Sequence, residues 1–472
     1  MLILIFSSSR LAINVGQVVS MSASSATPYD RSTLLTGLTI GVFLTLSAPK
    51  LLRLLNLQPS ENPRIKSHGK IAPEKDIRIG MEGLIGNTPL VKIKSLSEAT
   101  GCEILAKAEF LNPGNSPKDR VALSIILEAE KNGLLRPSHS LHHRPTDNTD
   151  DHNAVSSHLR ADNDSLEPIT SGKVEDPDTI YEGTVGSTGI SLAILARARG
   201  YRAHICMPDD QSPEKSNLLR ALGAHVEQVR PASIVDKSQF VNRAYSRAEE
   251  HSADESRDSR GFFADQFENE ANWCAHYDTT GPEIYSQSGG VVDAFVAGAG
   301  TGGTLSGCVK YLKPLLPDMK VFLADPPGSG LFNKVNYGVM FDEKEREGRR
   351  RRHQVDTVVE GIGINRITNN FRRGEEYVDK AIRVTDEEAV AMSRYLVEHD
   401  GLFLGSSSAV NCVAAVRAAR ELGEESGKVV VTILCDPGNR HLGKFWSDEY
   451  LKDYGIDVDD LDWSDLGFLD QK

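Results

Sequence analysis

The chain has 472 residues, of which 39% are hydrophobic and 25% charged; these proportions exclude disorder throughout and a polytopic membrane protein. Lys and Arg number 53 against 66 Asp and Glu, a net charge of −13, which speaks against binding nucleic acid through bulk charge. Six cysteines without a CxxC or a close pair suit neither a disulfide framework nor a structural zinc site, and point to a reducing compartment.

Residues 1–72 read as a leader. Up to Ser60 the only acid is Asp30, and an uncharged stretch, STLLTGLTIGVFLTLSAP, runs from Ser32 to Pro49. It is at the low end of what spans a bilayer. Lys50, Arg53, Arg64 and Lys66 follow, so the positive-inside tendency keeps the rest of the chain on the cytosolic side. This pattern predicts a mitochondrial outer-membrane anchor at 32–49, with a cleaved targeting peptide as the alternative.

A catalytic body is expected over 73–450. Buried strands are predicted at Ala203–Met207, Ala224–Val229, Val291–Ala297, Val321–Ala324 and Val429–Leu434. Helices are predicted at Val121–Glu130, Thr188–Arg199, Glu214–Leu222, Thr304–Leu312 and Ala409–Leu422. This alternation implies an α/β fold with mostly parallel sheets and helices on both faces. Two polar stretches, 137–172 and 341–353, read as solvated insertions. The first gathers His142, His143, Asp147, Asp150, Asp151 and His152, but lacks apolar support for a metal site, and none is expected. The acidic tail 451–472 reads as a solvated or docking segment.

Four glycine- or serine-rich turns run into helices. In NPGNSPKDR the positive end of a helix disfavours the charge of Lys118, as an amine that attacks an aldehyde requires; a plain surface lysine is the alternative. EGTVGSTG, with Thr184, Val185, Ser187 and Thr188, offers amides and hydroxyls for a carboxylate. Gly298–Thr304 (GAGTGGT) suits a phosphate and literally matches GxGxxG, so a dinucleotide and a compact phosphomonoester both stay open. Gly405–Ser408 offers neutral hydroxyls for an aromatic ring nitrogen. Helix capping is the plainer reading of the second and fourth.

In this order, with IGNTPLVKI at Ile85–Ile93, QFENEANWCAHYDTTGPEI at Gln266–Ile284 and EGIGINRI at Glu360–Ile367, the motifs resemble the cysteine synthase and cystathionine β-synthase family. The likeness covers nearly all of Ile85 to Trp446 apart from the insertions. CDPGNRHLGKFW and EGTVGSTGISLA look most like its fungal mitochondrial branch. The resemblance implies a pyridoxal-phosphate enzyme of fold type II (tryptophan synthase β-like) with two α/β domains, the smaller at about 117–225, and a homodimer. It implies a Schiff base at Lys118, phosphate binding by Gly300, Thr301, Gly302, Gly303 and Thr304, and Ser407 at the ring nitrogen, with one residue of register open. Ser187 would border the cofactor, while Thr184, Val185, Thr188 and Gln266 would meet an amino-acid substrate. The implied reaction makes L-cysteine from an O-activated serine, O-acetyl-L-serine foremost, and sulfide. A cystathionine β-synthase, a serine β-eliminase, or a membrane-tethered cofactor binder with little catalysis are the alternatives. Val185 and Ser187 stand where the family has serine and asparagine, which puts the substrate in question more than the cofactor.

Overall fold

The computed structural model describes residues 77–136, 176–232, 234–342 and 357–470. The predicted anchor at 32–49 and nearly all of both polar insertions lie outside these residues. Among the described residues no helix is long and apolar enough to cross a membrane.

Two sheets organise the body. The larger has six strands in the order β1 (Leu90–Lys92), β2 (Glu103–Ala108), β10 (Val429–Leu434), β7 (Ala294–Gly298), β8 (Lys320–Asp325) and β9 (Lys380–Arg383). All neighbours in it are parallel except β1 with β2. The smaller sheet is wholly parallel, in the order β5 (His225–Val229), β4 (Arg202–Pro208), β3 (Thr179–Gly183) and β6 (Gly261–Phe263). Its fourth strand comes from beyond the expected boundary near 225, so the small lobe runs further along the chain than the sequence pattern suggested. β6 has only three residues, Gly261, Phe262 and Phe263, too short a run to register as a strand.

β7 (AFVAG) and β10 (VVVTIL), in the middle of the large sheet, carry no charged residue because helices cover both faces, as parallel sheets require. All six residues of β10 are buried. The helix Ser406–Leu422 packs against the large sheet with thirteen buried residues, among them Ala409, Val410, Val413 and Val416. In the small lobe, Val121, Ile125 and Ile126 of the helix Lys118–Lys131 meet Ile190, Leu192 and Leu195 of the helix Ser187–Arg199.

Two expected solvated segments are partly packed instead. Ile456, Val458, Leu466, Phe468 and Leu469 of the acidic tail are buried in the core of the large lobe. Their apolar side chains recur between the acids at helical and turn spacing, so one face of the tail is apolar although its composition is acidic. At the start of the second insertion, Asp342 is buried and pairs with Arg383 at 2.9 Å, and Phe341 borders the central cavity.

Candidate active site

The carboxyl ends of β3, β7 and β10 all open on one cavity of about 1150 Å³. This is where parallel α/β sheets place ligands, because helix N-termini and connecting turns converge there. Of the twelve residues singled out in the sequence, eleven line the cavity: Lys118, Thr184, Val185, Ser187, Thr188, Gln266, Gly300, Thr301, Gly302, Thr304 and Ser407. Gly303 does not; it lies behind the loop, against Asn272.

Lys118 is the first residue of its helix, after a proline. Burial lowers its pKa, which Cys435, Asp436 and Glu109 only partly oppose. Among the described residues its ammonium makes no hydrogen bond or ion pair. Lys118 is half-buried and faces the cavity, so its amine is open to whatever the cavity holds. The turn before it is held from two sides. Asp119 accepts from the Gly114 amide at 2.6 Å, and Arg440 donates to the Gly114 carbonyl.

Gly302 caps the helix Gly303–Leu312 in the left-handed region, at φ +86°, and a β-carbon there would lie 2.5 Å from the Phe371 backbone. Only glycine meets both demands. The loop's hydroxyls are tied from behind: Thr301 Oγ1 accepts from Asn272 Nδ2 at 2.9 Å, and Thr304 Oγ1 lies 3.1 Å from His276 Nε2. His276 is fully buried and its pKa is pushed well down, by burial first and by Arg120 and Lys118 next. The free amides at this helix start make an anion cradle with the geometry a phosphate needs.

The three serines of 406–408 face different partners. Ser406 Oγ accepts from the Glu360 amide at 3.0 Å and Ser408 Oγ from the Cys435 amide at 2.8 Å. Only Ser407 of the three lines the cavity.

Opposite, the helix Ser187–Arg199 starts beneath Thr184–Thr188. Thr184 Oγ1 accepts from the Gly186 amide at 3.2 Å, and Thr188 donates its hydroxyl to Gln266 Oε1. Gln266 in turn donates from Nε2 to Glu182 and to the Gly183 carbonyl, both at 3.1 Å, so its orientation is set. Glu182 is fully buried, and burial with Asp265 raises its pKa well above the carboxylate range. Val185 borders the cavity and packs against Cys206, Phe240 and Val241.

Sequence reasoning missed the charged part of the wall: Lys215, Glu360, Asp436 and His441 also line the cavity. Glu360, Asp436 and His441 lay inside motifs already quoted, but nothing in the spacing brings Lys215 to them. Elsewhere in the small lobe, His204, Cys206 and Glu227 place possible metal-ligand atoms within 4.8 Å of one another. Both oxygens of that carboxylate are already engaged by Arg243 and Arg247, at 2.7 and 3.0 Å.

Residues 81–436 match the family described as pyridoxal-phosphate dependent enzyme. The chain is 56% identical over 396 residues to cysteine synthase 2 of Schizosaccharomyces pombe, covering 84% of this chain and 90% of that one. Against cysteine synthase 2 of Emericella nidulans the identity is 60% over 378 residues, covering 78% and 79%. A Saccharomyces cerevisiae protein provisionally named a mitochondrial cysteine synthase is 50% identical over 383 residues, covering 81% and 87%. Among solved structures, the O-acetylserine dependent cystathionine β-synthase of Helicobacter pylori superposes with a TM-score of 0.59 at 30% identity, covering 78% of this chain and 98% of that one. The unpartnered lysine, the glycine-rich helix start and the cavity-facing Ser407 suit the cofactor that these matches share, and the chain belongs to the pyridoxal-phosphate dependent enzymes.

Proposed function

We propose that the chain makes L-cysteine by β-replacement, from an O-activated serine, with O-acetyl-L-serine the expected donor, and sulfide. The observation that carries this reading is Lys118. It is half-buried in the cavity wall, depressed in pKa and unpartnered among the described residues, in one cavity with an anion cradle and a neutral hydroxyl. Names of relatives at 50–60% identity agree.

Pyridoxal phosphate, when bound, supplies the electron sink that labilises the α-proton and the β-substituent of an amino acid. The protein supplies the rest. Lys118 would carry the cofactor, and its Nζ, once free and neutral, would take the α-proton. The backbone amides of Gly300–Thr304 would hold the phosphate, with the Thr304 hydroxyl fixed by a neutral His276. Ser407 would meet the ring nitrogen without protonating it, which moderates the sink and favours elimination and replacement at the β-carbon. Thr184 and Thr188, with the amides of their turn, would hold the substrate carboxylate, and Gln266 would keep Thr188 oriented. Ser187 would border the cofactor, and Val185 would shape the wall beside the substrate.

The body would reach mitochondria through its leader, attached by 32–49 to the outer membrane and facing the cytosol. The acid-poor leader and the name of the yeast relative support this, and protease treatment of intact mitochondria tests it. A homodimer is the expected assembly, testable by sedimentation.

For the chemistry, purified protein should show the cofactor's visible absorbance, and Lys118→Ala should lose it. O-acetylserine should perturb that absorbance, and sulfide should then yield cysteine, with kcat at least about 1,000-fold lower in Lys118→Ala. An absorbance band indifferent to O-acetylserine, with turnover of serine and homocysteine instead, would replace this reading with a cystathionine β-synthase.

A further inference from the structure

Lys215 stands on the helix Pro213–Ala221 of the small lobe. Its side-chain stem packs on Gly186, where a β-carbon would lie 2.7 Å from Lys215 Cδ. Gly186 is in the middle of the Thr184–Thr188 turn. The Lys215 ammonium donates to Glu360 Oε2. Glu360 Oε2 also lies 3.3 Å from His441 Nδ1, and His441 Nε2 lies 2.9 Å from Asp436 Oδ2. Lys444 adds a second bridge between the lobes, 3.5 Å from Glu360 Oε1 and donating to the Asp210 carbonyl at 2.7 Å.

The far end of this ionic chain reaches the other side of the cavity. Gly405, the residue before the three serines, sits under Asp436 and His441, and a β-carbon there would be 2.1 Å from Asp436 Oδ1. The Glu360 amide donates to Ser406. One row of charges thus ties the turn carrying Thr184 and Thr188 to the helix start carrying Ser407.

Its members are nearly all shielded: Lys215 is 4% exposed, Asp436 6% and His441 2%. Yet Asp436 Oδ1 has no hydrogen-bond partner, and Glu360 Oε1 and His441 Nδ1 are held only at ion-pair range, by Lys444 at 3.5 Å and Glu360 at 3.3 Å. Buried charges held this incompletely cost stability relative to an apolar contact of the same shape. A fold that needed only to join its lobes would do better with apolar side chains.

We propose that Lys215–Glu360–His441–Asp436 is the clasp that sets the Thr184–Thr188 turn over the cavity, which makes Lys215 a positioning residue for the substrate carboxylate. The carboxylate assignment rests on the function proposed above. Lys215 touches the turn through its stem and the opposite lobe through its charge, so it transmits position rather than chemistry.

The test uses the holoenzyme with Lys215→Ala, Lys215→Arg and Glu360→Gln. Lys215→Ala and Glu360→Gln should raise KM for O-acetylserine about tenfold or more while kcat stays within about threefold. The cofactor absorbance should not move. In protein without substrate, the amides of 184–189 should exchange with solvent about tenfold faster in both variants, while those of the helix Ser406–Leu422 keep wild-type rates. Lys215→Arg, which keeps stem and charge, should restore both readouts. Unchanged KM with unchanged exchange in folded Lys215→Ala would overturn the clasp, as would a loss that Lys215→Arg fails to rescue. If wild type ignores O-acetylserine, the exchange result still decides the clasp, and only the substrate reading fails.

Discussion

Two buried ionic clusters in this molecule use the same residue types to opposite ends. Beneath the large sheet, Arg120 lies between Glu109 and Glu283, at 2.8 and 2.6 Å, and Lys107 reaches Glu283 at 2.6 Å. Every lone pair there is taken: Thr88 donates to Glu109 Oε1 at 2.7 Å, Asn112 Nδ2 to Glu109 Oε2 at 3.0 Å, and the Asn87 amide to Glu283 Oε1 at 3.0 Å. The Lys215–Glu360–His441–Asp436 row at the cavity leaves Asp436 Oδ1 without a hydrogen bond and holds Glu360 Oε1 and His441 Nδ1 only by longer ionic contacts. A completed network fixes one geometry, whereas an incomplete one can exchange partners. The difference teaches that burial and charge do not by themselves mark function; unmet hydrogen-bond capacity in a cavity wall does.

The largest effect expected from breaking this comparison is on the closed cluster. Arg120→Ala strands two buried carboxylates and should cost about 3–5 kcal/mol in urea unfolding. Glu109→Gln keeps the shape and some of the bonds, so it should cost less, about 1–3 kcal/mol. For both, KM of the folded fraction should stay near wild type, because none of these side chains lines the cavity. A large KM change in Glu109→Gln would erase the distinction between the clusters.

Smaller, and specific to the open row, is a dependence on pH. Burial alone would depress His441, but Asp436 and then Glu360 carry it up to about 9. An imidazole with both nitrogens facing carboxylates is held as the cation. With an unfolded value near 6.5, its stabilising contribution is complete below about pH 6.5 and is lost as pH rises to about 9, a span worth of order 3 kcal/mol. Unfolding free energy should therefore decline over that window in wild type and decline less in His441→Gln. Equal slopes would show that the imidazole is not charged in the native state.

What the sequence made legible follows the same division. The strands β4, β7, β8 and β10 and five helices were readable because burial on both faces writes itself as β-branched runs and helical periods, whereas β5 stands where expected but is not the buried strand predicted there, since none of its residues HVEQV is fully buried. β2 and β3 were not: EILAKA and TIYEG carry Lys107 and Glu182, charges that sheet burial would normally exclude and that distant partners satisfy. The cavity turns were legible because glycine, threonine and serine before a helix have a local physical meaning. Lys215 was not, because its role depends on Glu360, 145 residues away, and no local pattern encodes that pairing. The tail misled for the converse reason, since its composition hid the apolar face formed by Ile456, Val458, Leu466 and Phe468.

The smallest effect expected is at Val185. Its side chain faces the cavity on one side and the apolar group of Cys206, Phe240 and Val241 on the other. Val185→Ser removes two methyl groups from that contact and adds a hydroxyl to the turn, so stability should fall by about 1 kcal/mol. The activity effect tells more. If the turn binds the carboxylate mainly through amides and the two threonines, a further hydroxyl adds little, and KM for O-acetylserine should change less than about threefold. A drop in KM of tenfold or more would mean that valine withholds a hydrogen bond the substrate can use. The clasp would then hold a turn whose affinity is limited by its own side chains, and Lys215→Ala combined with Val185→Ser should recover part of what Lys215→Ala alone loses.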